Sequence, residues 1–230
     1  MNYTEGQQKR NEWNLFYQRY ILPPLLEGTW ITIELLVLSI PLGVFLGILI
    51  AGGRVYGNKI ISFLCTSFTV FFRGTPLLVQ LFVIYYGLPS IGIYFSPFAA
   101  AVVGFVLCSG AYHSEYIRGA IQSIKSGQMM AAEALGMSKF KAIIYIIFPQ
   151  ALRRALPGCS NEIVYLVKYS SLAFMVTCIE LTGAGKIIAT RYFRYTEVFL
   201  VIGIIYLLMV SVVTKLLSIV EKKLKIPGLG

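Results

Sequence analysis

The chain has 230 residues, of which 57% are hydrophobic and only 13% charged. A soluble domain averages about 25% charged and ~45–50% apolar residues, and a globule this small has no interior able to hide the excess. A soluble enzyme, a disordered regulator and a secreted disulfide scaffold are thereby excluded, leaving an integral membrane protein.

Lys and Arg total 20 against ten Glu and no Asp. In a membrane protein that excess reads first as topology and lipid contact, not as nucleic-acid binding. The N-terminal 20 residues are polar and lack the apolar core of a cleavable signal peptide. Trp13, Phe16, Tyr17 and Tyr20 suit an outer interfacial helix over residues 11–24.

A membrane crossing needs ~20 mainly apolar residues rising ~1.5 Å each. Four runs meet this, at residues 29–51, 60–86, 98–117 and 198–220, and a fifth lies within residues 143–182. No strand-like alternation occurs, so the expected fold is all-α, a five-helix transmembrane bundle in one domain spanning residues 1–230. In the first run, Gly43, Gly47 and Ala51 form a small-residue stripe that suits close packing on another helix of the same chain. Glu34, about one turn from its outer end, is placed to snorkel. In the second run, Arg73 precedes Gly74-Thr75-Pro76, which breaks the helix and frees carbonyls able to take its donors. Glu115 ends the third run near Arg118, in position for a structural or gating ion pair.

The inner loop, about residues 120–149, is the most informative segment. Residues 128–135 are strong helix formers followed by Gly136, a natural residue for a helix end. Ser138 is placed to cap a second, amphipathic helix over residues 139–148 ended by Pro149, with Phe140, Ile143, Ile144 and Ile147 on one face. Residues 142–152 make only ~16 Å of helix, too short to cross a ~30 Å core. The fifth crossing therefore starts near Ala151 and breaks around Lys168–Ser171. Glu162 then lies ~16 Å into this crossing, close to the midplane. With Asn161, Lys168, Ser170 and Ser171 it makes a midplane site beside a broken helix, suited to a zwitterion. The competing reading is a buried Glu162–Lys168 pair that only locks helices together.

Glu180, near the outer end of this region, reads as solvated. Cys65, Cys108, Cys159 and Cys178 form no CxxC pair and read as small buried hydrophobes, and the lone His113 excludes a histidine-rich metal site. With the N-terminus outside, ten basic residues lie on the inner side and six on the outer, which favours a cytoplasmic C-terminus.

Residues 127–136, Gly-Gln-Met-Met-Ala-Ala-Glu-Ala-Leu-Gly, followed by Phe148-Pro149, resemble the EAA loop of ABC-importer permeases. Arg73-Gly74-Thr75-Pro76-Leu77 with Gln80, and Ser109-Gly110-Ala111-Tyr112 with Glu115 and Arg118-Gly119, resemble motifs of the polar amino-acid permeases within that group. So do Pro149-Gln150-Ala151-Leu152-Arg153, Asn161-Glu162 with Lys168, Ser170, Ser171 and Leu172, and Glu180-Leu181-Thr182. Two departures stand out: Met130 where the family's loop begins with Glu, and Tyr169 where it often has Asp.

The resemblance implies a permease subunit for polar amino acids, among them cationic ones, in a bacterial or archaeal cytoplasmic membrane. It pairs with a second permease subunit, either a copy or a paralogue. Two cytoplasmic ATPase subunits, which bind the ATP and Mg, would dock on Met130, Ala131, Ala132, Glu133, Leu135 and Gly136. An extracytoplasmic solute-binding protein would deliver the substrate. The chain itself then needs no cofactor and catalyses no reaction. Its nearest approach to a phosphate-binding loop, Gly183-Ala184-Gly185-Lys186, lacks the first Gly and the Ser/Thr such a loop needs. Two rival functions are an ion-driven secondary transporter, whose usual inverted repeats are not evident, and a membrane adaptor, which has no use for mid-span Glu162 and Lys168.

Overall fold

The computed structural model describes residues 17–224, and among these there is helix and no strand. In chain order they form α1 (Tyr17–Tyr56), α2 (Lys59–Gly74), α3 (Leu77–Ile91), α4 (Pro97–Gln122), α5 (Ser126–Ala134), α6 (Lys139–Val176), α7 (Leu181–Tyr192) and α8 (Tyr195–Leu224). Helices α1, α4 and α8 are each long and apolar enough to cross a membrane. The pairs α2–α3 and α6–α7 bend by 105° and 54°, and they raise the number of crossings from three to as many as five if each bent pair is one span.

Helix α1 is 40 residues long. Of the expected interfacial segment, residues 11–16, including Trp13 and Phe16, lie outside the described residues. Residues 17–24 are not a separate element: a π-helical turn over Tyr17–Ile21 runs straight into α1. Ile21 and Leu25 are buried there against Leu181 and Ile188 of α7 and Val198 and Ile202 of α8.

The seam between α1 and α4 holds the centre of the bundle. A Cβ on Gly43 would lie 2.2 Å from Ser109 Oγ, and one on Gly47 2.5 Å from His113 Cβ and 3.0 Å from the Ser114 backbone nitrogen. The glycine stripe thus brings two backbones of one chain together, as its spacing suggests. Beside the seam, Leu35, Leu36, Leu81, Phe105, Leu166 and Val176 close the main core. A further cluster at the α4–α6 contact buries Ala51, Ile117, Ile121, Ile147 and Ala155. Helix α8 presents Leu200, Ile204, Leu207, Leu208 and Val212 outward, an apolar face suited to lipid.

The break expected at Gly74-Thr75-Pro76 is present. Pro76 forces Thr75 into an extended conformation (φ −114°, ψ 144°), so the helix stops and α3 leaves at 105°. Two other sequence expectations need correction. Arg73 does not take the freed carbonyls. Gln80 does, its Nε2 donating to Phe72 O at 2.8 Å and Thr75 O at 3.0 Å. Pro149 does not end a separate surface helix either. A π-helical turn over Ile143–Ile147 widens the backbone just ahead of it, and the Phe148 N–H donates to Ile143 O. The wider turn accommodates the proline ring and its missing N–H, so α6 runs on through it.

The predicted break does occur. The α-helical part of α6 ends at Tyr169, tightens into a 3-10 turn over Ser170–Val176, and reverses at Thr177 with φ +62°.

Candidate functional site

Glu162 lies on the buried face of α6 and is only 4% exposed. No Lys or Arg of the described residues comes within 4.0 Å of its carboxylate. Lys168 is six residues on, about 9 Å along the axis and rotated well away. Its ammonium sits 4.2 Å over the Tyr165 ring instead. The Glu162–Lys168 locking pair is therefore absent.

Several tyrosines lie near Glu162. Tyr165 and Tyr169 follow it at i+3 and i+7, one helical face, with their rings stacked at 6.0 Å. From α4, Tyr112, Tyr116 and Cys108 lie within electrostatic range of the carboxylate, as does Cys159 one turn back on α6. Gly158 makes room for this wall, because a Cβ there would sit 2.7 Å from the Tyr116 ring. Arg73, at the end of α2, lies 5.2 Å over the Tyr112 ring. A buried carboxylate with tyrosines near it offers a cation charge pairing, to which ring quadrupoles can add, and Arg73 also lies within electrostatic range of it.

The other expected substrate residues are distributed differently. Asn161 is exposed, unlike its buried neighbour Glu162. Ser170 Oγ donates to Val167 O at 2.7 Å and Ser171 Oγ to Lys168 O at 2.8 Å, so both hydroxyls hold the broken helix end.

A second cluster lies toward the C-terminal end of α4. Glu115 accepts from Arg54 of α1 at 2.5 Å and from Arg118 on its own helix, and Arg73 of α2 stands 3.5 Å away. One carboxylate thus ties three helices together. The Glu115–Arg118 pair follows from sequence spacing. Arg54 does not, being 61 residues away along the chain.

The expected coupling surface is a helix pair. Helix α5 ends in a Schellman turn, with the Gly136 N–H donating to Glu133 O and the Met137 N–H to Ala132 O, and Gly136 adopts φ +80°. Ser138 Oγ then accepts from the Lys141 N–H at 3.4 Å and caps α6. Ala132 and Ile147 turn inward, whereas Met130, Ala131, Glu133, Leu135, Phe140 and Tyr145 are exposed. Leu135 is 85% exposed and Phe140 72%, leaving an apolar surface that the described residues do not cover.

Glu180 reverses its expectation: it is fully buried, not solvated. It caps α7, accepting from the Thr182 N–H at 2.9 Å and the Gly183 N–H at 3.0 Å, and takes a third bond from Tyr206 of α8 at 2.9 Å. Glu34 is exposed on α1. Gly183 to Lys186 lies within helix α7, and its glycines pack against Phe174 and Ile202. Sequence reasoning gave no role to Arg54, Tyr206 or the tyrosines near Glu162, and named Gln80 only as part of a motif; the i, i+3, i+7 spacing of Glu162, Tyr165 and Tyr169 was a signal for the tyrosines.

Comparison with known proteins agrees with this architecture. Residues 43–226 match the family described as the binding-protein-dependent transport system inner membrane component. The nopaline transport system permease protein of Agrobacterium fabrum is 39% identical over 209 residues, covering 86% of this chain and 87% of the relative. The glutamine transport system permease protein of Escherichia coli is 36% identical over 207 residues, covering 89% and 94%. A solved structure described as an amino acid ABC transporter with histidines superposes with a TM-score of 0.80 at 36% identity, covering 87% of this chain and 94% of that one. By sequence and by fold, the chain belongs to the family of binding-protein-dependent transport system inner membrane components, the permease subunits of ATP-driven importers.

Proposed function

We propose that this permease carries polar amino acids inward, with a preference for cationic ones, along a path that passes Glu162. The observation carrying the reading is a buried carboxylate with no Lys or Arg of the described residues within 4.0 Å and with tyrosines near it. A substrate ammonium or guanidinium entering there gains a charge partner at a depth where an unpaired charge is costly, and aromatic faces replace part of its water. Arg73, beside the same wall, is suited to the substrate carboxylate, and Lys168 and the Ser170–Ser171 break lie further along the same helix. The relatives named for glutamine, nopaline and amino acids support the amino-acid class.

Each bent pair counts as one crossing in this reading, giving five spans with the N-terminus outside and the C-terminus in the cytoplasm. The chain is then a single transmembrane domain of a bacterial cytoplasmic membrane. Helix α5 and the first turns of α6 face the cytoplasm and dock on two ATPase subunits that bind ATP and Mg. The exposed Met130, Leu135 and Phe140 support that docking, since a partner groove would cover them. A second permease subunit completes the path, and an extracytoplasmic binding protein delivers substrate. The Arg54–Glu115–Arg118 cluster, with Arg73, joins the path to the docking segment.

Uptake by proteoliposomes holding the complete transporter tests the substrate class. Cationic, neutral and acidic amino acids are compared at equal concentration. Arginine or lysine should enter fastest and acidic amino acids slowest. Preferential uptake of acidic amino acids would refute the role given to Glu162.

A further inference from the structure

An open notch of about 510 Å³ with a mixed polar and apolar lining lies away from Glu162, at the turn between α1 and α2. Arg54, Val55, Lys59, Ser62, Phe63 and Thr66 line it, and no acidic residue does. The turn joins two apolar helices, so the cavity opens where headgroups meet hydrocarbon.

The charge around it is unbalanced. Arg54, Arg73 and Arg118 share the single carboxylate of Glu115, so three positive charges meet one negative and two are left over. Lys59 adds another. It is exposed and has no carboxylate within 4.0 Å among the described residues. Ser62 Oγ donates to Arg54 O at 3.1 Å, which holds that wall in place and leaves its oxygen as a neighbour, not a competitor, for the cations. Beside the cavity, α2 turns Ile60, Phe63 and Leu64 outward. Cations next to an exposed apolar strip match an amphiphile with an anionic head.

We propose that this notch binds the phosphate of an anionic phospholipid, with Lys59 and Arg54 on the phosphate oxygens and an acyl chain along Phe63. Inorganic phosphate shares the head chemistry but makes no use of the apolar strip. The inference needs only that the notch lies at a headgroup layer, so it stands apart from the substrate reading.

The complete transporter is exchanged into phosphatidylcholine nanodiscs containing graded phosphatidylglycerol, and retained lipid is counted by native mass spectrometry. Wild type should retain phosphatidylglycerol in preference to phosphatidylcholine. One lysine at a membrane surface contributes about 1 kcal/mol, so Lys59→Gln should weaken that retention about fivefold. Lys215→Gln, which removes an exposed lysine elsewhere, should leave it unchanged. Equal losses in the two variants, or none in Lys59→Gln, would overturn the site. Indifference between the two lipids would overturn the charge argument. Displacement of the lipid by excess inorganic phosphate would assign the notch to a free anion and overturn the lipid.

Discussion

Replacing Gly47 with alanine tests the seam on which both clusters depend. The added Cβ would lie 2.5 Å from His113 Cβ, 3.0 Å from the Ser114 nitrogen and 3.1 Å from the Gly110 carbonyl oxygen. Two of these three are backbone atoms of α4, so no side-chain rotation relieves the clash, and α1 and α4 must part by about 1 Å to reach ordinary van der Waals separation. Overpacking of this kind costs about 1–3 kcal/mol. The separation also reaches Arg54, two turns along α1, and pulls its guanidinium from Glu115. The control is Gly52→Ala, five residues away on the same helix, where an added Cβ meets nothing within 4 Å. There the change should stabilise by roughly 0.5–1 kcal/mol, because glycine loses more backbone freedom than alanine when the unfolded chain enters a helix. Thermal unfolding of the detergent-solubilised complex should therefore shift down for Gly47→Ala and hold or rise for Gly52→Ala, with uptake falling only in the first. Equal midpoints for the two variants would refute the claim that close backbone approach sets the geometry of this bundle.

Other predictions follow from the ion cluster, the helix pair and the topology. Glu115→Gln leaves Arg54, Arg118 and Arg73 without their shared carboxylate, and should lower stability by about 1–3 kcal/mol, read as a fall in unfolding midpoint; an unchanged midpoint would show the cluster to be incidental. Gly136→Val puts a β-branched side chain at φ +80° and should reduce co-elution of the ATPase subunits while the chain still inserts in the membrane; full stoichiometry with full transport would remove α5 from the coupling role. In a cysteine-free chain, Ser90→Cys should react with an impermeant thiol reagent in intact cells and Ser138→Cys should not; the reverse pattern would invert the topology.

The parts of this molecule legible in the sequence are those set by neighbours along the chain. The turn at Gly136, the Ser138 cap, the break after Tyr169 and the Glu115–Arg118 pair all rest on spacings of a few residues. The parts that were not legible depend on contacts across the bundle. Glu180 looked like a surface acid, and Tyr206 from another helix is among the partners that make its burial possible. Gln80 stood in the sequence only as part of a motif, and its role needed the bend at Pro76, which brings the Phe72 and Thr75 carbonyls to its amide. Pro149 looked like a terminator because an α-helix cannot hold it unaided, and the π-helical turn before it removes that objection. The Glu162 site was half legible. The break after it was legible in the spacing, whereas the loss of Lys168 to the Tyr165 ring and the approach of Tyr112 and Tyr116 from α4 needed the fold.

The central claim is that Glu162 meets the substrate's positive charge, and uptake by Glu162→Gln tests it most directly. The substitution keeps the side chain's size and removes its charge. A charge-assisted hydrogen bond contributes about 1.5–3 kcal/mol, so uptake of a cationic amino acid at limiting concentration should fall about ten- to a hundredfold. Since no protein cation pairs with Glu162, the unfolding midpoint and basal ATP hydrolysis of the same preparation should stay close to wild type. A variant that unfolds at lower temperature yet transports the cationic amino acid normally per folded complex would contradict the account.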